Sequence, residues 1–103
     1  MTKRLPPVHP GEVLREEVMA PIGLSANRLA KDLGIPTSRV LEIINGRRSI
    51  SADTALRLGR YFGTTAQFWM NLQASYDLET ASDANGKGIE RAVKPREVAV
   101  GSR

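Results

Sequence analysis

The chain contains no cysteine and only one histidine, His9, among its 103 residues. Without cysteine it can form neither a disulfide nor a thiolate metal site, and nothing indicates an oxidising compartment. A zinc site built on one histidine would need three carboxylate or solvent ligands, which is unusual. We therefore expect no metal and no other cofactor.

Long apolar runs are also missing. No stretch approaches the roughly 20 residues that a membrane-spanning helix requires. The first residues, MTKRLPPVHPGE, lack the apolar segment of a signal peptide. We expect a cytoplasmic protein with no membrane contact. An apolar share of 41% is sufficient for one small hydrophobic core.

Recognisable catalytic patterns are absent too. His9 lies in a predicted loop, and no serine is surrounded by a nucleophile motif. Glu12, Glu16 and Glu17 are predicted to form a solvated face of the first helix, because adjacent helix positions do not face one another. The chain carries no glycine-rich phosphate loop. We expect no catalytic residue and no enzymatic activity.

The chain does have an excess of positive charge, and the excess is localised. A net charge of +4 and a pI near 10.0 favour a polyanionic partner. Residues 25–60 contain seven arginines and lysines against three acidic residues, so their net charge equals that of the whole chain. In residues 1–24 the basic and acidic side chains cancel. The basic excess therefore lies in the middle of the chain.

Apolar residues at helical spacing predict an all-α fold with five helices. Helix starts are predicted where a proline or a capping side chain occurs, at Pro10, Ser25, Ser51 and Thr64. The third helix is predicted from its apolar periodicity to begin at Thr37. Helix ends are predicted where proline, glycine or Asn-Gly occurs, at Pro21 with Gly23, Gly34, Asn45 and Gly63.

Three parts are predicted along the chain. Residues 1–9 are rich in proline and form a flexible lead. Residues 10–82 form the helical domain. From Asp83 onward, the turn-rich DANGKG and the mixed charges that follow it predict a tail, residues 83–103, that is mostly disordered.

The stretch from Ser25 to Asn45 has the outline of a helix-turn-helix. Two segments with apolar periodicity, Asn27–Leu33 and Thr37–Ile44, flank a break formed by Gly34, Ile35 and Pro36. Two helices joined by a short glycine-containing turn define this motif. We expect the second of these helices to enter the major groove of double-stranded DNA.

The candidate base-reading residues lie on that second helix. Thr37, Ser38 and Arg39 place short or polar side chains at its start, and an arginine can pair with O6 and N7 of guanine. Glu42 is able to accept a hydrogen bond from cytosine N4. An ordinary solvent-facing side chain is the alternative interpretation of Glu42.

Other polar residues are candidates for phosphate contacts. Asn45, Arg47 and Arg48 follow the predicted recognition helix, and Asn27 lies near the start of the helix before it. Such contacts fix the register of a protein on the duplex without reading sequence. For Arg47 and Arg48 the alternative is an exposed loop without a partner.

The motif and its flanks resemble a known family. The run GIPTSRVLEIINGRRSISADTALRLGRYFGTT resembles the Xre/lambda-repressor-like helix-turn-helix family. Two longer runs, HPGEVLREEVMAPIGLSANRLAKDLGIP and DTALRLGRYFGTTAQFWMNLQASYDLETA, resemble the HigA-type antitoxins of bacterial toxin–antitoxin operons. The resemblance covers residues 8–82, and HPGEVLREE together with FWMNLQ and YDL makes it specific.

This resemblance implies a five-helix fold, a homodimer, and repression of the protein's own operon. It also implies neutralisation of a HigB-type toxin, a ribosome-dependent mRNA endonuclease, but assigns no residue to toxin binding. Thr37, Ser38 and Arg39 inherit the operator-reading role, and Asn45 inherits a backbone contact. Pro36 departs from the wider pattern, which often has a capping Ser or Thr there.

Two other functions agree with the same residues. One is a stand-alone Xre-type regulator without a toxin. The other is a protein-interaction module with weak DNA binding, in which the acidic first helix and the basic tail are the interacting surfaces. For a homodimer, we expect uncovered apolar surface at Leu56, Met70 and the later part of the fifth helix. The alternative is that these residues complete the monomer core.

Overall fold

The computed structural model describes residues 5–97, and residues 1–4 and 98–103 lie outside that description. The described part is all-α, as predicted, with five helical segments and no strand within it. The first segment, α1, covers residues 10–22 in three consecutive stretches, Pro10–Val13, Leu14–Met19 and Ala20–Ile22. The other four are α2 (Ala26–Leu33), α3 (Thr37–Ile44), α4 (Ala52–Phe62) and α5 (Ala66–Ala92).

The helix α1 changes its winding along its length. An α-helical turn is followed by a π-helical stretch, in which the Ala20 N–H donates to the carbonyl of Arg15, and then by a 3₁₀ turn. The segment ends at Gly23, where φ is +65°. The wider π turn is a departure from the regular helix that the sequence predicts, although the start at Pro10 is confirmed.

Local capping explains where most of the other helices start. The hydroxyls of Ser25 and Ser51 accept hydrogen bonds from the backbone N–H groups of Arg28 and Thr54, as expected for N-caps. The predicted capping role of Thr64 in α5 is wrong, because Thr65 caps that helix through the Phe68 N–H.

A single hydrophobic core lies where the helices meet. The predicted buried residues of α2, namely Leu29, Ala30 and Leu33, are all buried. They pack in a cluster whose other buried members are Leu14, Met19, Val40, Ile43, Ile50, Ala55, Leu58 and Trp69. Burial of this apolar surface is the main force that holds the short helices in place, since isolated helices of eight residues are marginal in water.

The last helix extends further than the sequence predicts. The expected disorder from Asp83 does not hold for residues 83–92, which continue α5 as far as Ala92. Each glycine in a helix costs about 1 kcal/mol relative to alanine, but extending an existing helix adds one hydrogen bond for each residue fixed. The helix is about 40 Å long at 1.5 Å per residue, and residues 98–103 of the predicted tail lie outside the described part.

The pair α2–α3 is held on the rest of the domain by polar contacts to α4. The Arg57 guanidinium donates to the carbonyl of Leu33, the last residue of α2, at 2.8 Å. The Tyr61 hydroxyl donates to Asp32 Oδ2 at 2.6 Å. These bonds fix α2, the first helix of the helix-turn-helix, relative to α4.

Candidate DNA-binding surface

The turn between α2 and α3 has the geometry of a helix-turn-helix. Gly34 adopts a left-handed conformation, with φ of +75°, which glycine tolerates at no steric cost. The N–H groups of Gly34 and Ile35 both donate to the carbonyl of Ala30. These two bonds close the last turn of α2. The chain then reverses and enters α3 one residue after Pro36.

Pro36 occupies the N-cap position of α3 and forms no side-chain cap. The first turn of α3 relies on backbone bonds instead, with the N–H of Arg39 donating to the Pro36 carbonyl at 3.0 Å. The backbone therefore starts the recognition helix without the hydroxyl cap that the wider family pattern often has.

The outward face of α3 is formed by residues at helical spacing. Ser38, Leu41 and Asn45 are exposed, and Thr37, Arg39 and Glu42 are half-buried beside them. Val40 and Ile43 lie on the opposite side, in the core.

Leu41 is an exposed residue of this face that the sequence reasoning missed. Its side chain is 43% exposed, three positions after Ser38 and one turn before Asn45. This spacing would have predicted its exposure, because residues three and four positions apart lie on the same helix face. An apolar side chain on a recognition helix can contact a thymine methyl group.

The loop after α3 carries the predicted phosphate-binding residues. Asn45 ends the helix, and Arg47 and Arg48 are both exposed. The N–H of Arg47 donates to the main-chain carbonyl of Glu42 at 2.8 Å. The Arg48 Nε donates to the Glu42 carboxylate at 2.6 Å. The loop is therefore folded back on the last turn of α3.

The ion pair gives Glu42 a partner within the protein. Its carboxylate holds Arg48 and is half-exposed, so it faces solvent next to the arginine. A contact between Glu42 and cytosine would have to compete with this pair. The cytosine contact stays a prediction.

Ion pairs also explain which basic side chains supply the local positive charge. Each of the three acidic residues between positions 25 and 60 pairs with one arginine, as Arg28–Asp32, Arg48–Glu42 and Arg57–Asp53. The four remaining cations in that stretch are Lys31, Arg39, Arg47 and Arg60. Two of these four, Arg39 and Arg47, are predicted DNA contacts.

The eight predicted site residues fall into two groups in the structure. Seven lie on α3 or its loop, namely Thr37, Ser38, Arg39, Glu42, Asn45, Arg47 and Arg48. The eighth, Asn27, lies exposed in the first turn of α2. This arrangement agrees with a motif in which one helix enters the groove and the preceding helix crosses the backbone.

His9 has a structural role that the sequence did not indicate. Its Nδ1 accepts a hydrogen bond from the N–H of Gly11 at 2.9 Å and so caps α1. Its ring contacts the ring of Tyr76 in α5 edge-on, with centroids 4.8 Å apart. In residues 5–97 no group of three or more His, Asp or Glu side chains could hold a metal ion.

Burial and hydrogen bonding shift the pKa values of His9, Asp32 and Tyr61. Burial lowers the pKa of His9, and the carboxylate of Asp77 partly opposes that change. The hydrogen bond from Tyr61 lowers the pKa of Asp32, and the Arg28 guanidinium acts in the same direction. The same bond raises the pKa of Tyr61.

We expect the stability of the protein to fall as the pH drops below about 6.5, because of His9. The unfolded chain binds the proton at about pH 6.5, and the folded chain binds it only at a lower pH. The stabilisation is therefore fully present above about pH 6.5 and is lost as the pH falls through the folded-state pKa. Urea unfolding midpoints between pH 8 and 5 measure it.

His9→Asn is the matched control, because asparagine caps helices but does not titrate in this range. Since His9 is the only histidine, the variant should have a flatter profile between pH 8 and 5. The contribution of Asp32 to stability is lost only near and below the ordinary aspartate pKa of about 3.9, so it does not affect this pH range. Identical pH profiles for the two proteins would exclude His9 as the cause.

The comparisons with known proteins agree with this geometry. The Helix-turn-helix family profile matches residues 14–69. Virulence-associated protein I of Dichelobacter nodosus is 57% identical over 77 residues, which cover 75% of this chain and 71% of that protein. The profile and this relative define the class, and the chain belongs to the helix-turn-helix family.

Solved structures give a narrower assignment. An addiction module antidote protein of the HigA family from Coxiella burnetii superimposes with a TM-score of 0.85 at 55% identity, covering 89% of this chain and 100% of that one. The antitoxin HigA of Pseudomonas aeruginosa, with the higBA promoter, gives 0.86 at 50% identity, covering 88% and 99%. Within the family, the chain lies in the HigA-type branch.

These findings confirm several expectations from the sequence. The all-α lambda-repressor-like fold and the HigA-type resemblance are confirmed. The two relatives are described as an antidote protein and as an antitoxin with a promoter, and neither description is that of an enzyme, in agreement with the expected lack of catalytic residues. No helix within residues 5–97 combines the length and apolarity needed to cross a bilayer.

Proposed function

We propose that this protein is the antitoxin of a type II toxin–antitoxin system, that it binds its own operator through α2 and α3, and that it represses its operon. The observation that carries the proposal is the superposition on the Pseudomonas aeruginosa antitoxin HigA with the higBA promoter. The cationic surplus of residues 25–60 supports it, because phosphate neutralisation supplies much of protein–DNA affinity.

The two groups of site residues have different roles in this proposal. Thr37, Ser38 and Arg39, with Glu42 and the exposed Leu41, read base edges in the major groove. The others hold the phosphate backbone and set the register, and these are Asn27, Asn45, Arg47 and Arg48. Arg39 and Arg47 have no side-chain hydrogen bond or ion pair within residues 5–97. Neither therefore has to break an internal bond before it meets DNA.

Arg39→Ala is expected to reduce the preference for operator over random DNA by about 1–3 kcal/mol, or roughly 5- to 150-fold, because it removes a base contact. Arg47→Ala is expected to weaken binding to both DNAs by a similar factor, since a phosphate contact does not depend on sequence. Gel shifts with the DNA directly upstream of the gene and with a scrambled duplex measure both effects.

Arg91→Ala is the control for loss of one positive charge. Arg91 is exposed in the last turn of α5, about 20 Å along that helix from Asp77, so its removal should change neither affinity nor preference by more than about twofold. Equal losses on both DNAs for Arg39→Ala would contradict the assigned base contact. No specific shift from the wild-type protein, alone or with its toxin, would favour a protein-interaction module.

We also propose a homodimer, which would place two recognition helices about 34 Å apart on a palindromic operator. Leu56 on α4 is 64% exposed and agrees with the predicted uncovered apolar surface. Met70 is partly buried against the core, so it contributes less to such a surface than predicted. A monomer mass in light scattering at micromolar concentration would contradict the dimer.

Neutralisation of a HigB-type toxin completes the proposal and places the protein in the cytoplasm, where operator and ribosomes occur. Its support is the similarity to HigA antitoxins. The test is whether the purified protein stops ribosome-dependent mRNA cleavage by a toxin encoded beside its gene. Operator binding without any adjacent toxin gene would instead indicate a stand-alone regulator.

A further inference from the structure

The loop between α3 and α4 is held at both ends by residues distant in sequence. We call it the arginine loop, because it covers residues 45–51 and carries Arg47 and Arg48. At its first end, Gly46 has φ of +76° and lies against the ring of His9, within 4 Å of the position a side chain would occupy. The backbone of Gly11 lies directly against the carbonyl of Ile43.

The second end is held by a buried glutamine of α5. The N–H of Ile50 donates to Gln73 Oε1 at 2.8 Å. The amide nitrogen of Gln73 donates to Asp77 Oδ1 at 2.9 Å, one turn further along the helix. Gln73 is only 4% exposed and Ile50 only 2%. The side chain is therefore fixed in one orientation, with its oxygen directed at the loop.

A buried glutamine is unusual in a small apolar core, because burial of an unpaired amide is costly. Here both ends of the amide have partners, and the partner of its oxygen is a main-chain N–H that has no helical acceptor. Replacing the side chain by a hydrocarbon would leave this N–H buried without an acceptor. The glutamine thus determines where the loop backbone can lie.

The two residues of α5 that act on the ends of the loop, Gln73 and Tyr76, lie on one face of that helix. Gln73, Tyr76 and Asp77 lie three and four positions apart, which places them on one helix face. Gln73 binds Ile50, and Tyr76 supports the His9 ring that lies on Gly46. Any displacement of α5 relative to α3 therefore reaches both ends of the arginine loop.

We infer that Gln73 is a positioning residue for DNA binding, which holds Arg47 and Arg48 in register with the phosphates and links α5 to the DNA-contacting loop. The inference rests on the proposed function, because it needs Arg47 and Arg48 to contact phosphate. Gln73 itself touches no DNA in this scheme and acts through the Ile50 N–H.

The test compares a variant that breaks the anchor with one that keeps it. Gln73→Leu removes the acceptor for Ile50. The double variant Gln73→Glu with Asp77→Asn keeps an acceptor oxygen, reverses the second hydrogen bond and leaves the net charge unchanged. Gln73→Met provides a second apolar replacement with a more adaptable shape. Each variant is checked for helix content by circular dichroism at low temperature before titration with operator and scrambled duplexes.

Gln73→Leu is expected to lower the affinity for both duplexes by about threefold or more. The slope of log affinity against log salt should become shallower, by up to about 0.9 for each phosphate that the protein no longer neutralises. The charge-preserving double variant should stay within about twofold of the wild type in affinity and keep its salt slope. In a protein that already carries Arg47→Ala and Arg48→Ala, adding Gln73→Leu should cause no further loss of DNA affinity.

Several results would overturn the inference. An unchanged salt slope, or the same factor of loss with and without the two arginines, would mean that Gln73 acts only through general stability. A loss in the charge-preserving variant equal to that of Gln73→Leu would mean that the acceptor oxygen is not what matters. If the variant with Arg47→Ala and Arg48→Ala itself binds DNA like the wild type, the proposed phosphate contacts of these two arginines are contradicted, and with them the premise of the inference.

Discussion

Gly11→Ala is expected to lower the free energy of unfolding by about 3 kcal/mol, which is near the upper end for overpacking. A Cβ at this position would lie 1.7 Å from the carbonyl oxygen of Ile43 and 2.6 Å from its carbonyl carbon. Both are backbone atoms, so no side chain can rotate away. The helices α1 and α3 would have to separate.

The separation would also affect the recognition helix. The carbonyl of Ile43 accepts the N–H of Gly46 at 3.0 Å, which shapes the exit from α3. We therefore expect Gly11→Ala to weaken operator binding even at temperatures where the variant is folded. Urea unfolding followed by circular dichroism, together with a gel shift, measures the two effects.

Gly88→Ala is the matched control. Gly88 lies in α5 with open space around the position of a Cβ. Alanine there should leave stability unchanged or raise it by up to about 1 kcal/mol, because it favours the helix. A Gly11→Ala variant that unfolds within about 0.5 kcal/mol of the wild type would contradict the close approach of α1 and α3.

Trp69→Ala is expected to lower the free energy of unfolding by about 3–5 kcal/mol, the usual range for removing a buried large aromatic side chain. Trp69 is 0% exposed and is the largest side chain of the core. Its indole N–H donates to the Thr64 hydroxyl at 2.9 Å, so the substitution removes a hydrogen bond as well. A domain of this size has about 5–15 kcal/mol of stability in total, and partial unfolding at 37 °C is expected.

The adjacent aromatic residue offers a control. Phe68 is 43% exposed and its ring meets the Trp69 ring edge-on, with centroids 5.1 Å apart. Phe68→Ala should lower the free energy of unfolding by about 1–2 kcal/mol, which is less than the loss for Trp69→Ala, since it removes that ring pair and only a partly buried side chain. Thermal unfolding of the two variants side by side distinguishes them. Similar losses would mean that the core is not centred on Trp69.

Much of the fold could be predicted from the sequence because the relevant interactions are local. The hydroxyls of Ser25 and Ser51 bind N–H groups only three residues away, and glycine at position 34 meets a requirement of its own turn. Apolar periodicity identifies the buried residues of α2 for the same reason. The continuation of α5 is not evident from the sequence, since the glycines of DANGKG suggest a turn although an existing helix can extend through them.

The candidate site was predictable in part. Charge and the helix-turn-helix outline point to α3 and its loop, which lie within the residues 14–69 that the family profile matches. The pairing of Glu42 with Arg48 joins residues six positions apart, beyond any helical spacing rule, so the sequence does not predict it. The exposure of Leu41, in contrast, follows from helical spacing alone.

The amino-acid sequence established most of the helix starts, the caps at Ser25 and Ser51, the apolar face of α2 and the localised positive charge, because each depends on neighbours within about one helical turn or on composition alone. It also carried the motif by which the family is identified. Folding alone brought Gly11 onto Ile43, His9 onto Tyr76 and Gln73 onto Ile50. These contacts join residues far apart in the chain, so no local rule predicts them, and they fix the positions of α3 and of the loop at residues 45–51, where the proposed DNA contacts lie.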